Sequence, residues 1–155
     1  MISRNVKIAT LILVSPLFLG MVGLFLPHLD QFLRDHLGTH SGRIINTYAV
    51  ILYGFFVGSF WGFTVSKEHP NFTPYFLTVL AAILILLIYS VGATYRSFAL
   101  IICFMLILPI DLFFTKHMLA PTWWMRFKIP LTGFVIFCLL TRRFINFVLA
   151  TLALT

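Results

Sequence analysis

Two long stretches without a formal charge set the first constraint on this chain. Between Lys7 and His28 lie 20 such residues, and between Arg43 and Lys67 lie 23 more. A helix rises about 1.5 Å per residue and a hydrocarbon core is about 30 Å thick, so each stretch is long enough to cross a bilayer. Because 61% of the chain is hydrophobic and only 10% is charged, it has too few polar side chains to cover a water-soluble domain. The sequence therefore predicts an all-α, polytopic membrane protein.

Three further spans complete a predicted bundle of five transmembrane helices. The fourth contains Asp111 as its one charged member, and the fifth begins at Trp123 so that Arg142 stays outside the hydrocarbon. No repeat or linker divides the chain, so we expect a single transmembrane domain over residues 1–155. The five predicted spans are 8–27, 44–66, 75–94, 97–115 and 123–141.

Two other segments are predicted to lie at the membrane surface. From 29 to 37, apolar residues recur at helical spacing with polar residues opposite, which is typical of a short interfacial helix, here ended by Gly38. The apolar segment 144–155 follows Arg142 and Arg143. Joining that segment to the fifth span would bury two arginines, at about 2.5–3.5 kcal/mol each on insertion scales. We therefore expect a separate, interfacial C-terminal segment.

The apolar composition predicts the lipid bilayer as a partner of this chain, and the placement of its basic residues predicts no nucleic-acid partner. The basic residues occur singly or in pairs at the ends of apolar segments, a pattern that argues against nucleic-acid binding. With the N-terminus in the cytoplasm, six Lys and Arg residues lie inside and five lie outside, which is only a slight bias toward that orientation.

Glycine recurs at every fourth residue of the second span, at Gly54, Gly58 and Gly62. This spacing removes Cβ atoms from one helix face, so another backbone can approach closely and gain dispersion contacts. Helix packing within the monomer is the favoured interpretation, with Gly20 and Gly23 of the first span as counterparts. A homo-oligomer through the same face and a cavity lined by backbone are the alternatives.

Asp111 lies about one turn before the end of the fourth span. In apolar surroundings a carboxylate must pair with a cation or be protonated. Spans four and five are consecutive and antiparallel, so Lys128 lies at nearly the same depth as Asp111. We therefore predict an intramembrane ion pair between Asp111 and Lys128, with Arg126 as the substitute cation. A pair that fixes helix packing is favoured, and a proton or cation relay built on Asp111 is the alternative.

Tryptophans mark the start of the fifth span. Because indole rings favour the headgroup level, Trp123 and Trp124 are predicted to be interfacial anchors. Lys128 lies close enough to the same end for its side chain to reach outward. Farther along, Thr132 is expected to hydrogen-bond back to its own helix around Pro130.

The histidines predict neither a metal site nor a haem site. Gly38 interrupts the helix that would place His36 and His40 on one face, near His28. No histidine lies in the middle of a span, where a haem ligand would be expected. His117, just beyond the fourth span, is interpreted as a helix-dipole partner. We predict no cofactor, no metal and no catalytic residue.

A motif near the fifth span resembles a known family. The segment 121–132 is similar to the signature of the transmembrane protein 69-like family, a bacterial and mitochondrial domain of unknown function numbered 3429. Lys128 stands where this family usually has arginine. The residues that match in order are Pro121, Trp123, Trp124, Pro130, Leu131 and Thr132.

The resemblance extends to the first two spans. Residues 23–27, GLFLP, are similar to the family's first-span ending, and Phe60 replaces a position that is often histidine. The second-span residues in register with the family are Tyr48, Gly58, Trp61 and Gly62. The resemblance implies a small multi-pass protein of the bacterial or the mitochondrial inner membrane, and it implies no activity.

Three classes of function are compatible with these features. A non-catalytic accessory subunit or assembly factor of a larger membrane complex, such as a respiratory enzyme, is favoured. The second class is an ion or small-solute transporter or channel that acts as an oligomer, with Asp111, Pro16 and Pro109 along its path. A membrane enzyme using Asp111, His117 and Trp123 is the least favoured.

Overall fold

The computed structural model describes residues 4–66, 71–92 and 95–152. It is 89% helical, and no strand occurs within those residues. Every helix except the second is long and apolar enough to cross a membrane, which confirms the predicted all-α fold with five spans. The helices in chain order are α1 (Arg4–Phe25), α2 (Pro27–Leu37), α3 (Ser41–Ser66), α4 (Thr73–Ser90), α5 (Arg96–Lys116) and α6 (Trp124–Leu152).

The short helix α2 connects the first two spans. Pro27 occupies its first turn, where the fixed φ and the missing N–H of proline are tolerated. Gly38 ends the helix with a left-handed backbone at φ 60°, and its N–H donates to the Arg34 carbonyl at 3.1 Å. Asp30 links α2 to the next helix, because its Oδ1 accepts a hydrogen bond from the Ser41 N–H at 2.7 Å. The position of α2 at the membrane surface stays a prediction.

Several helix ends differ from the predicted bounds of the spans. A helix is bounded by capping or helix-breaking residues and not by the nearest charge. α3 therefore begins at Ser41 and includes Arg43. α4 begins at Thr73, two residues before the predicted start of this span, with Pro74 in its first turn. α4 ends at Ser90; positions 93–94, the predicted end of this span, lie outside the described residues.

The largest departure from the predicted bounds is α6. This helix runs without a break from Trp124 to Leu152, so the predicted separation of the C-terminal segment after residue 141 is wrong. No proline or glycine occurs between Thr141 and Leu152 to interrupt it. Its 29 residues extend about 44 Å, well beyond a hydrocarbon core of about 30 Å, and Arg142 lies about 27 Å from the start of the helix. A hydrocarbon core that begins at the first turn of α6 would therefore have Arg142 near its edge rather than at its centre.

The contacts of the chain divide into two compact units. One comprises the described parts of Met1–Ala49 and Phe134–Thr155, and the other is Val50–Gly133. In the first unit, α1 approaches α3 closely at glycine: a Cβ built on Gly20 would lie 2.7 Å from Ile45 Cγ1. In the second unit the core is aromatic, and the Tyr53 hydroxyl donates to the Ala81 carbonyl at 2.9 Å, linking α3 to α4.

Candidate functional site

Asp111 and Lys128 meet in the second unit, where α5 and α6 are joined by a short turn. Asp111 lies about one and a half turns before the end of α5 at Lys116, and Lys128 lies about one turn after α6 begins at Trp124. Consecutive helices reverse direction at the turn, so the two side chains reach the same level. Lys128 Nζ lies 2.9 Å from Asp111 Oδ2 and donates to Oδ1 at 3.2 Å. Both side chains are 0% exposed, so neither charge is screened by solvent.

Trp124 is the third member of this cluster. Its indole Nε1 donates to Asp111 Oδ1 at 2.6 Å, and the residue is only 4% exposed. A headgroup anchor would present its ring to the lipid interface, so the predicted anchor role of Trp124 is wrong. Trp123, which precedes α6, is half-buried, and its anchor role stays a prediction. A buried indole must find an acceptor for its N–H, and Asp111 supplies it.

Aromatic rings enclose the cation. Lys128 Nζ lies 3.7 Å from the centroid of the Phe56 ring, 5.0 Å from that of Phe60 and 5.2 Å from that of Trp124. Ring faces carry negative charge density, and they partly replace the water that an ammonium group loses on burial. The lysine side chain therefore points inward, and the expectation that it reaches out to the membrane surface is wrong.

The cluster does not satisfy every polar atom. Asp111 Oδ2 is in ionic contact with Lys128, but it accepts no well-directed hydrogen bond within the described residues. Thr132, one turn farther along α6, is 1% exposed. Its Oγ1 has no hydrogen-bond partner in this part of the structure, so the expected bond back to its own helix is absent. Arg126, the substitute cation, is exposed and is not part of the cluster.

The glycine stripe of α3 is open. A Cβ built at Gly54, Gly58 or Gly62 would meet no described atom within 4 Å, and all three residues are exposed. The predicted packing of this face within the monomer is therefore wrong. Close packing occurs instead at the proposed counterparts: a Cβ on Gly23 would overlap Ser41 Oγ, and one on Gly20 would crowd Ile45. Homo-oligomerisation through the open stripe stays a prediction.

Within the described residues, His117 and the two cysteines do not belong to the Asp111–Lys128 cluster. His117 ends α5, and its Nδ1 donates to the Phe113 carbonyl at 2.9 Å, which directs the ring to the helix terminus. Within residues 4–66, 71–92 and 95–152, no group of three His, Cys, Asp or Glu side chains is arranged to hold a metal ion. Cys103 and Cys138 are both buried free thiols.

Sequence reasoning paired Asp111 with Lys128 but missed the residues around them. A helical spacing of four places Trp124, Lys128 and Thr132 on one face of α6, and it places Phe56 and Phe60 on one face of α3. The shared face of Trp124 and Lys128 was therefore readable from the sequence. That α3 supplies the rings was not, because no local pattern specifies which helix covers a given face.

These features define a class of protein. Five long apolar helices and an ion pair buried between two of them are the features of a multi-pass membrane protein. The family model described as "Protein of unknown function (DUF3429)" matches residues 3–143, and the chain belongs to this family. A search of the curated proteins and a search of the solved structures each give no match.

Proposed function

We propose that this chain is a non-catalytic accessory subunit or assembly factor of a larger complex in the bacterial or the mitochondrial inner membrane, such as a respiratory enzyme. The observation that carries the proposal is the open glycine stripe of α3. The opposite face of α3 contains the buried side chains of Tyr53 and Phe56, so one face of this helix is buried and the glycine face is exposed. A smooth face suits the close approach of a spanning helix from another subunit.

The ion pair supports a structural role for the interior. Asp111, Lys128 and Trp124 bond one another, and the rings of Phe56 and Phe60 cover the cation. Removing one charge would leave the other uncompensated, so the pair specifies how α3, α5 and α6 pack against one another in the second unit. A subunit of this kind needs only a stable interior and a smooth helix face for its partner, and it needs no catalytic residues.

A matched pair of glycine variants tests the proposal. Gly58 and Gly133 both have open space around a built Cβ, but they lie on different helices, α3 and α6. The tagged full-length chain is purified from its native membrane in mild detergent, and its mass and co-purifying proteins are measured. We expect the parent and Gly133→Leu to carry identified subunits of a membrane enzyme complex, and Gly58→Leu to lose them. Recovery of the parent alone and monodisperse would contradict the proposal, whereas a homodimer lost only in Gly58→Leu would establish self-association instead.

A second candidate, an ion or small-solute transporter acting as an oligomer, rests on the carboxylate. Buried intramembrane carboxylates often mark ion paths, and Asp111 Oδ2 has hydrogen-bonding capacity to spare among the described residues. Purified chain in liposomes would show cation or proton flux that Asp111→Asn abolishes while its helix content and elution volume stay unchanged. Equal flux in the parent, in Asp111→Asn and in empty liposomes would remove this candidate.

A further inference from the structure

The first unit contains a polar cleft that the proposed function does not use. It has a volume of about 260 Å³ and lies where α1 ends, α2 begins and α3 begins, with α6 as its far wall. Since α1 and α3 are consecutive candidate spans, we expect this junction to lie at one membrane surface. The side chains that line it include Asp30, Arg34, His40, Arg142 and Asn146.

The charged lining is basic. Two arginines face the cleft against one aspartate, and Asp30 already pairs with Arg34 at 2.8 Å. Arg142 Nε would lie 2.6 Å from a Cβ built on Gly42, so its guanidinium lies directly over the first turn of α3. The absence of a side chain at Gly42 is what makes room for it. A guanidinium binds a phosphate through charge-assisted hydrogen bonds, and here Arg142 is the group that offers them, because Asp30 Oδ1 already accepts the Ser41 N–H at the start of α3.

The titration of His40 is consistent with positive potential in the cleft. Burial lowers the pKa of His40, and the neighbouring Arg34 and Arg142 lower it further, while Asp30 opposes them and Arg43 adds to them. Burial, the largest cause, disfavours any charge, but the part of the shift caused by Arg34 and Arg142 is positive potential, which favours an anion.

The remaining walls are apolar. Leu24 of α1 and Ile145 and Leu149 of α6 line the same cleft. A ligand that fits both parts combines an anionic head with a hydrocarbon chain. Phospholipids have this chemistry, and they are present wherever this protein is embedded.

We propose that the cleft binds the phosphate of an anionic phospholipid headgroup, with Arg142 as the main contact and the acyl chain along Leu24, Ile145 and Leu149. Arg34 and His40 border the headgroup, and Asn146 offers a neutral amide. The site is distinct from the Asp111–Lys128 pair, so the proposal stands independently of the function proposed above.

Native mass spectrometry of the full-length chain in neutral detergent tests this site. The probes are dioleoylphosphatidylglycerol and dioleoylphosphatidylcholine, which share acyl chains and differ in net headgroup charge. We expect the parent to retain phosphatidylglycerol preferentially and Arg142→Gln to retain about tenfold less of it, since a charge-assisted bond is lost. Arg143→Gln removes the same charge at the neighbouring position, which does not line the cleft, and binding should stay within about twofold of the parent.

A second variant keeps the charge and displaces it. Gly42→Ala forces the Arg142 side chain to shift while the backbone stays helical, so retention of phosphatidylglycerol should fall by about threefold without loss of fold. Glycerol phosphate is added as a soluble competitor. No displacement supports the lipid as the source of the phosphate, whereas displacement at equal concentration identifies a soluble phosphate ester as the ligand and overturns the proposal. Equal losses in Arg142→Gln and Arg143→Gln, or equal retention of the two lipids by the parent, would overturn the proposal.

Discussion

The most direct perturbation of the ion pair is to remove the cation and leave the carboxylate. In Lys128→Met, Asp111 keeps the Trp124 indole at 2.6 Å but loses the ammonium group at 2.9 Å. Because both side chains are 0% exposed, water cannot take the place of the lysine. Breaking a buried pair by removing one partner costs about 3–5 kcal/mol. We expect the free energy of unfolding of Lys128→Met to fall by that amount.

The double variant Asp111→Leu/Lys128→Met separates the pair from the packing around it. With both charges gone, no uncompensated ion remains, although Trp124 Nε1 loses its acceptor at a cost of about 1–3 kcal/mol. We expect the double variant to be more stable than Lys128→Met by about 2 kcal/mol. Such recovery is the signature of coupling between two residues in contact.

Titration with sodium dodecyl sulfate from mixed dodecyl maltoside micelles, followed by circular dichroism, measures these free energies. Arg126→Met serves as the control, because Arg126 lies in the same first turn of α6 but is exposed, and its effect should stay within about 0.5 kcal/mol. If Lys128→Met is no less stable than Arg126→Met, the reasoning about the buried pair is refuted. It is refuted as well if the effects of Lys128→Met and of Asp111→Leu, each measured alone, simply add in the double variant.

Three further substitutions test other parts of the structure. Gly23→Ala places a methyl group onto Ser41 Oγ, so it should destabilise the chain by about 1–3 kcal/mol in the same titration, and an unchanged midpoint would show that α1 and α3 are not so close. Trp124→Phe keeps the ring but removes the hydrogen bond to Asp111, which should cost about 1.5–3 kcal/mol, and no loss would contradict that bond. Burial raises the pKa of Asp30, but hydrogen bonds from Ser41 and Arg34 outweigh burial and lower the pKa to about 2. The ionised carboxylate therefore stabilises the fold by about 1 kcal/mol. This contribution to the free energy of unfolding is complete above the ordinary pKa of 3.8, and it is lost as the pH falls from there toward 2. Asp30→Asn should remove that part of the acid dependence of stability, and an unaltered acid profile would show that Asp30 is not responsible.

The open stripe and the buried pair place different demands on α3. The residues Gly54, Gly58 and Gly62 leave one face uncovered, while Phe56 and Phe60 cover the lysine from the other. Substitutions on the first face should change association without changing stability. The ion-pair and glycine experiments therefore report on separate properties of one helix.

The sequence by itself determined the number and nature of the spans. Uncharged runs such as 8–27 and 44–66 have one stable arrangement in lipid, the helix, because every backbone group must bond within its own segment. The sequence also specified α2 and its end at Gly38, since a left-handed glycine stops a helix locally. Lys128 could also be inferred as the partner of Asp111, because two consecutive antiparallel helices joined by one turn place these residues at nearly the same depth.

Only the tertiary structure decided which faces are covered. Trp124 has the side chain typical of a headgroup anchor, but it is buried and donates a hydrogen bond, because the carboxylate of Asp111 lies within reach of its N–H. The glycine stripe has the pattern of a packing face and is open, whereas Gly20 and Gly23 are packed. Local patterns fix what a helix face is able to contact; which face meets which neighbour depends on how side chains from distant segments fit together, and that fit is a property of the folded chain alone.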